Sequence, residues 1–276
     1  MLSYLHAFHA GNKADIVKHA TLDVVLRTLR LQPRPLHYLD THAGSGLYDL
    51  GSAEAQKTGE AEAGILTAMA GRKRPAALAA YFDLVRKFNG PARIRHYPGS
   101  PAIAAARLRP SDRLTLCEMH PREIKALREN FQGDERISIK NESGWDVLAA
   151  GLKARSDRRL IVLADPSYET ASDYEDATSL AQSIQRAPRH ALLLLWYPIL
   201  SAAAHKKLEA ACAQSGADIF TMIWPPADDL RPRLLGSGMA IFGADARLLR
   251  PIRAALEAAA PLIGGELTAA PRAAKS

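Results

Sequence analysis

The sequence is poor in cysteine and shows no residue spacing that would indicate a metal centre. Its two cysteines, Cys117 and Cys212, are far apart and match neither a zinc-binding nor a redox motif, which is typical of proteins from a reducing compartment. Three histidines near the start, His6, His9 and His19, have no cysteine or carboxylate partner at ligand spacing. We therefore predict no bound metal.

The chain also lacks a hydrophobic run long enough to cross a membrane. Its longest apolar run, ALLLLWYPIL (191–200), has about half the length that a membrane span requires and is better explained as a buried strand. The N-terminus shows no charged segment followed by an apolar one, so no signal peptide is indicated. These absences predict a cytoplasmic protein with no membrane association.

Acidic residues are in deficit, and this imbalance favours an acidic partner. The 29 Asp and Glu residues are outnumbered by 36 Lys and Arg, which gives a net charge of +7. A basic balance is common among proteins that bind nucleic acid, although many enzymes are basic for other reasons. Basic stretches at 71–75, 86–97 and 231–233 could contact phosphates or could be ordinary solvated surface.

Short apolar runs alternate with amphipathic stretches along the chain. Because nearly continuous apolar strands are typical of a sheet covered by helices on both faces, the pattern predicts an α/β, Rossmann-like sheet of seven strands. The last strand follows a connection without helical periodicity, so it can run antiparallel. The predicted strands cover residues 36–40, 113–119, 136–140, 160–165, 191–197, 218–224 and 238–243.

One interval between predicted strands is too long for a single crossover. The first strand ends near Asp40 and the second near Glu118, whereas a crossover needs far fewer residues. Residues 51–96 within this interval are rich in Ala, Lys and Arg and have helical periodicity. We predict one domain over residues 1–276, with a helical insertion at 51–96.

A glycine loop follows the first strand, after Asp40. Glycines such as Gly44 allow a backbone to approach a ligand closely. Asp49 occupies the third small-residue position of a dinucleotide-binding motif, so that motif does not fit. S-adenosylmethionine enzymes use a looser loop, with a second acid at the next strand end for the ribose hydroxyls, and Glu118 has that position. Glycine loops and terminal acids nevertheless occur in many α/β sheets.

The fourth strand ends in Asp165-Pro166-Ser167-Tyr168, at the edge where doubly wound sheets bind ligands. The Asp165 carboxylate and the Pro166 carbonyl could accept the two N–H groups of an amine conjugated to a ring, such as adenine N6. Asp165 could also take the released proton, and Tyr168 could stack on the base. Asp-Pro is also an ordinary way to begin a turn.

Several motifs together make the chain resemble the RlmJ family. The resemblance implies an S-adenosylmethionine-dependent methyltransferase fold with a helical insertion, which methylates N6 of one adenine in 23S ribosomal RNA. The matching segments run in order over nearly the whole chain and comprise MLSYLHAFHAGNKADIVKH (1–19), YLDTHAGSG (38–46), TGEAEAGI (58–65), YPGSP (97–101), DPSYE (165–169), LWYP (195–198) and GSGM (236–239).

The resemblance also implies roles for individual residues. Asp165 matches the family's catalytic acceptor. The residues that match positions near the target adenine or the catalytic pocket are Tyr4, His6 and Lys18. Those that match cofactor-contacting positions are His19, His42, Ser100, Glu118 and Asp165.

The sequence departs from the family pattern at two pocket positions. Ser167 replaces a proline of the catalytic turn, and Ser143 replaces a carboxylate that would accept a hydrogen bond from the cofactor's adenine, while Gly144 is kept. These changes leave open a non-catalytic RNA-binding descendant. A methyltransferase that acts on DNA or protein is a further alternative. In the absence of an obvious partner surface we expect a monomer that acts on protein-free or early precursor RNA.

Overall fold

A computed structural model describes residues 4–71, 74–91, 93–184, 191–225 and 234–270. All seven predicted strands are present, and three further strands accompany them. The strands are β1 (Leu36–Asp40), β2 (Leu47–Asp49), β3 (His96–Pro98), β4 (Arg113–Cys117), β5 (Ile137–Lys140), β6 (Arg159–Ala164), β7 (Leu192–Leu200), β8 (Asp218–Ile223), β9 (Leu234–Phe242) and β10 (Glu266–Ala270).

The main sheet has the order β5-β4-β1-β6-β7-β9-β8-β10. The five strands from β5 to β7 are parallel, and β9 lies antiparallel between β7 and β8, which confirms the predicted reversal. The doubly wound α/β prediction is confirmed, but the sheet has an eighth strand, β10, at its edge. Its side chains alternate between exposed and half-buried positions, so the sequence there has no apolar run to indicate it.

Helices cover both faces of this sheet and divide the buried apolar residues into two clusters. Fourteen of the 17 residues of the first helix are buried, so this helix has almost no solvent-facing side. The helices are α1 (Lys13–Leu29), α2 (Ala53–Thr58), α3 (Thr67–Ala70), α4 (Ala76–Lys87), α5 (Ser100–Arg107), α6 (Pro121–Asn130), α7 (Gly144–Lys153), α8 (Ala171–Ser183), α9 (His205–Gln214) and α10 (Ala246–Ala259). Within the described ranges, none of them combines the length and apolar character of a membrane span.

Residues between β2 and β3 contain α2, a kinked helical turn (Glu62–Leu66), α3 and α4. β2 and β3 pair antiparallel, so the two ends of this segment lie side by side. The segment contacts the start of the chain, where the Ile65 N–H donates to the Gly11 carbonyl at 2.8 Å. Gly64 lies so close to that carbonyl that a Cβ on it would come within 2.1 Å of the oxygen. The helical segment therefore packs directly on the N-terminal residues.

Candidate active site

A cavity of about 280 Å³ opens at the carboxyl ends of β1, β4 and β6. Ser143 and Gly144 do not line it. They begin α7 next to it, where a Cβ on Gly144 would come within 2.1 Å of the Thr41 carbonyl oxygen. The predicted site residues that do line the cavity are Tyr4, His6, Lys18, His19, His42, Gly44, Ser100, Glu118, Asp165, Pro166 and Tyr168.

Glu118, directly after β4, is held by the backbone. Its carboxylate accepts hydrogen bonds from the Gly44 N–H at 2.8 Å and the His120 N–H at 2.6 Å. Burial raises the pKa of Glu118, while these two N–H groups oppose the shift. Each carboxylate oxygen has a second lone pair, so the group can still accept hydrogen bonds from a ligand. A ribose diol is the kind of ligand group that this arrangement fits.

The glycine loop is tightly packed against its neighbours. Gly44 has a φ of +59°, and a Cβ there would lie 2.1 Å from the Tyr48 hydroxyl oxygen. Below the loop, the buried Asp40 carboxylate accepts a hydrogen bond from the Tyr38 hydroxyl at 2.7 Å. Burial raises the pKa of Asp40 to about 6, although hydrogen bonds from Ser100 and Tyr38 oppose the shift. The loop therefore brings bare backbone to the cavity, as a cofactor of the size of S-adenosylmethionine needs.

The Asp-Pro-Ser-Tyr turn is anchored at several points. The Lys18 ammonium donates to Asp165 in a short ion pair. Tyr168 has a φ of +55°, a left-handed conformation that is uncommon for a bulky residue and that often marks functional sites. Its hydroxyl donates to the Trp196 carbonyl at 2.7 Å, and only 7% of the residue is exposed. Tyr168 is thus fixed in place with only a small surface available to a base.

Asp15 is the main functional candidate that the sequence analysis missed. Its buried carboxylate accepts from the Gly11 N–H at 2.8 Å and contacts His6 Nε2 and Lys18 Nζ, each at 3.0 Å. Burial alone would raise the pKa of Asp15, but the neighbouring His6 and Lys18 hold it well below its ordinary value. Its spacing of three and four residues from Lys18 and His19 on α1 is the signal that could have revealed this cluster.

Lys18 connects this cluster to the Asp-Pro-Ser-Tyr turn. Burial alone would lower the pKa of Lys18, but the carboxylates of Asp15 and Asp165 raise it above its ordinary value. The ammonium also lies 5.5 Å from the centre of the Trp196 ring. Trp196 lines the cavity, although its place in an apolar strand favours core packing over base stacking, and its indole N–H donates to Ser237 at 2.7 Å.

The N-terminal segment closes the cavity on one side. The Tyr4 ring stacks on His9 at a centroid distance of 5.5 Å, and the Tyr4 backbone N–H donates to Glu169, beside the Asp-Pro-Ser-Tyr turn, at 3.2 Å. His9 and Asn12 contact the Glu60 carboxylate of the helical segment at 2.8 and 3.0 Å. Across the described ranges, no three His, Cys, Asp or Glu side chains form a metal site. The basic residues 72–73 and 231–233 lie outside those ranges.

A doubly wound sheet with an antiparallel β9, an acid after β4 and an Asp-Pro turn after β6 define a Rossmann-like methyltransferase. The family model described as "Ribosomal RNA large subunit methyltransferase D, RlmJ" matches residues 33–270 of the chain. The chain belongs to the RlmJ family, as its sequence motifs indicate.

Relatives and a solved structure agree with this assignment. Ribosomal RNA large subunit methyltransferase J of Escherichia coli is 39% identical over 246 residues, which cover 87% of this chain and 86% of the relative. The protein of the same name from Haemophilus influenzae is 36% identical, with the same coverage. The crystal structure of protein LPL1258 from Legionella pneumophila superposes with a TM-score of 0.87 at 26% identity, over 96% of this chain and 99% of that one.

Proposed function

We propose that the protein transfers a methyl group from S-adenosylmethionine to N6 of a specific adenine in 23S ribosomal RNA. The observation that carries this proposal is the placement of Asp165 and Pro166 in the same cavity as Glu118 and the glycine loop. One side of the cavity fits an adenosyl cofactor, and the other offers two acceptors to an aromatic amine. The names of the relatives support a ribosomal RNA substrate.

The residues around the glycine loop would hold the cofactor. Glu118 would accept hydrogen bonds from the ribose, and the backbone at Gly44 would approach the methionine part. When bound, S-adenosylmethionine supplies a methyl group with electrophilic character. We assign further cofactor contacts to His19, His42 and Ser100, which line the cavity, and to Ser143 and Gly144 at the start of α7.

The catalytic turn would hold the adenine. One oxygen of Asp165 contacts Lys18, so the other is available to accept an N–H of the adenine amine. The Pro166 carbonyl would accept the second N–H, and the amine lone pair would then point toward the methyl group. Asp165 would take the released proton directly or through water. Since the reactants are held in line, most of the rate enhancement would come from positioning.

Aromatic residues of the cavity would support the base once it leaves its stack. Tyr168 presents a small surface to the cavity, and Tyr4 and His6 also line it. We further propose that residues 51–96 form a helical subdomain that supports this N-terminal wall and contributes basic side chains to RNA binding. A ribosomal substrate would place the enzyme in the cytoplasm, where we expect it to act as a monomer on protein-free or precursor RNA.

The proposal is tested with radiolabelled S-adenosylmethionine and unmodified, protein-free 23S ribosomal RNA. Mass spectrometry of the labelled nucleoside should identify N6-methyladenosine, and Asp165→Ala should abolish the label. Cofactor binding without any transfer to RNA, together with labelling of DNA or protein, would contradict the RNA substrate. Failure to bind the cofactor at all would favour a non-catalytic RNA-binding protein instead.

A further inference from the structure

His19 lies at the end of a buried chain of hydroxyl groups. Its Nδ1 is 2.7 Å from the Tyr97 hydroxyl oxygen, which is 2.9 Å from the Tyr81 hydroxyl oxygen. Tyr81 belongs to α4 of the helical segment, and Tyr97 belongs to β3. All three residues are at most 1% exposed, so water does not compete for these hydrogen bonds. Burial raises the pKa of both phenols, and each therefore keeps its single proton.

The other ring nitrogen of His19, Nε2, lies beside Asp15. His19 and Asp15 both line the cavity, whereas Tyr97 does not. Nε2 lies 4.0 Å from an oxygen of Asp15. That distance exceeds a hydrogen bond, and a proton on Nε2 would remain available to a ligand.

Two arrangements of protons satisfy the hydroxyl chain, and Asp15 discriminates between them. With the proton on Nδ1, the ring would donate to Tyr97 and turn an Nε2 lone pair toward the Asp15 carboxylate, which is repulsive. With the proton on Nε2, the positive end of the N–H faces that carboxylate. Tyr97 then donates its hydroxyl proton to Nδ1, and Tyr81 donates its own to the Tyr97 oxygen. Each hydroxyl of the chain therefore donates one hydrogen bond toward His19.

His6 has the same pattern around the same carboxylate. Its Nε2 lies 3.0 Å from Asp15, and its Nδ1 lies 2.9 Å from the Tyr4 hydroxyl. Because an ionised carboxylate only accepts hydrogen bonds, Nε2 of His6 must carry a proton. Each of the two histidines thus has its Nε2 toward Asp15 and its Nδ1 within hydrogen-bond distance of a tyrosine hydroxyl.

We propose that Asp15, Tyr97 and Tyr81 are positioning residues that fix His19 as the Nε2–H tautomer, so that it offers an N–H donor to an acceptor oxygen of the cofactor. The identity of the ligand rests on the proposed function, whereas the tautomer does not. Burial lowers the pKa of His19 to about 3, so the ring stays neutral at physiological pH. Through Tyr81, the helical segment helps to orient a residue of the cofactor site.

The tautomer can be measured directly on the ligand-free protein. Long-range ¹H–¹⁵N correlation spectra of the imidazole rings, assigned with His19→Gln, should show a protonated Nε2 and an unprotonated Nδ1 for His19. A protonated Nδ1, or a mixture of both tautomers, would overturn the proposal. The spectrum does not depend on whether the protein binds the cofactor.

Two substitutions of His19 test its role as a hydrogen-bond donor, by calorimetry with S-adenosylhomocysteine. A Gln amide can place an N–H near the former Nε2, and an Asn amide near the former Nδ1. His19→Gln should therefore bind within about threefold of the wild type, and His19→Asn about tenfold more weakly. Equal weakening by both substitutions would overturn the donor role.

Tyr97→Phe should weaken binding about three- to tenfold, and Tyr81→Phe somewhat less. The matched control is Tyr197→Phe, which removes a buried tyrosine hydroxyl that does not belong to the His19 hydroxyl chain. If Tyr97→Phe has no more effect than this control, the hydroxyl chain does not position His19. If the wild type does not bind S-adenosylhomocysteine, the proposed function fails, and the imidazole spectrum alone decides the tautomer.

Discussion

The two walls of the cavity are held together in different ways. On the strand-end wall, side chains bond to backbone groups: Glu118 accepts from two backbone N–H groups, and Tyr168 donates to a backbone carbonyl. On the N-terminal wall, most of the contacts join side chains to one another, although Asp15 also accepts from the Gly11 N–H, and Asp15 and Lys18 form its centre. Lys18 also joins this wall to Asp165 across 147 positions of sequence.

This difference indicates which wall is more easily broken. Backbone groups at strand ends are fixed by the sheet itself, so the strand-end wall forms once the sheet has formed. The N-terminal wall depends on a few buried charges, and one of its ion pairs, Lys18 with Asp165, joins distant parts of the chain. Since an unpaired buried charge is costly, single substitutions should damage this wall most.

The largest effect is expected for Lys18→Met. Methionine has a similar volume but leaves Asp15 and Asp165 without their shared cation, so the free energy of unfolding should fall by about 3–5 kcal/mol. Urea unfolding followed by circular dichroism measures this change. Lys18→Arg, which keeps the charge, should lose less than half as much, and equal losses would show that shape rather than charge matters here.

A smaller effect is expected for Glu118→Gln on the strand-end wall. The glutamine amide can still accept from one backbone N–H, but the second N–H then faces its NH₂ group. The ribose diol of the ligand also loses an ionised acceptor. Affinity for S-adenosylhomocysteine should fall about tenfold, which corresponds to about 1.4 kcal/mol. Unchanged affinity in calorimetry would contradict the proposed ribose contact.

The N-terminal wall should also respond to acid through His19. Its folded-state pKa of about 3 lies below the ordinary value, so below pH 6.5 the unfolded chain binds a proton that the folded chain does not. Stability from this group is therefore lost as the pH falls, by about 1 kcal/mol between pH 7 and 5.5. Urea unfolding at both pH values measures the loss of unfolding free energy. This loss should be smaller by about 1 kcal/mol in His19→Gln than in the wild type, and identical losses would contradict the lowered pKa of His19.

The smallest effect concerns Ser167, at a position where the family resemblance implies a proline. Its hydroxyl donates to Asp173 at 3.3 Å, and Asp173 also forms the capping box of α8 with Thr170. Ser167→Ala should lower the free energy of unfolding by about 0.5–1 kcal/mol and slow methyl transfer two- to threefold, roughly the effect of one lost hydrogen bond. Ser167→Pro should retain the wild-type rate, and a larger loss in this variant would mean that the turn needs the hydroxyl.

Local patterns predicted the strand-end wall well. Apolar runs that end in Glu118 or Asp165 identify the strands and the edge at which they finish, because parallel strands place their carboxyl ends together. Strands β2 and β3 were missed because three residues are too few to leave a periodic signal, and β10 was missed because none of its side chains is fully buried.

The N-terminal wall could be predicted only in part. Family resemblance indicated His6 and Lys18, but Asp15 was missed, although its spacing of three and four residues from Lys18 and His19 on α1 could have indicated it. Trp196 lies in a continuous apolar strand, and an apolar run does not indicate which of its residues reaches a cavity. Ser143 was expected in the pocket, but it lies at the start of α7 outside the cavity lining, and its cofactor contact remains a prediction.

The central claim is that the two acids at the strand ends have separate tasks, and one paired experiment tests it. Cofactor affinity and single-turnover methyl transfer at saturating cofactor are measured for Glu118→Gln and Asp165→Asn. We expect Glu118→Gln to weaken affinity about tenfold with little change in the transfer rate. Asp165→Asn should bind the cofactor within about threefold of the wild type but transfer methyl at least about 100-fold more slowly. If both variants change the same quantity, the proposal that Glu118 binds the cofactor and Asp165 acts in methyl transfer is wrong.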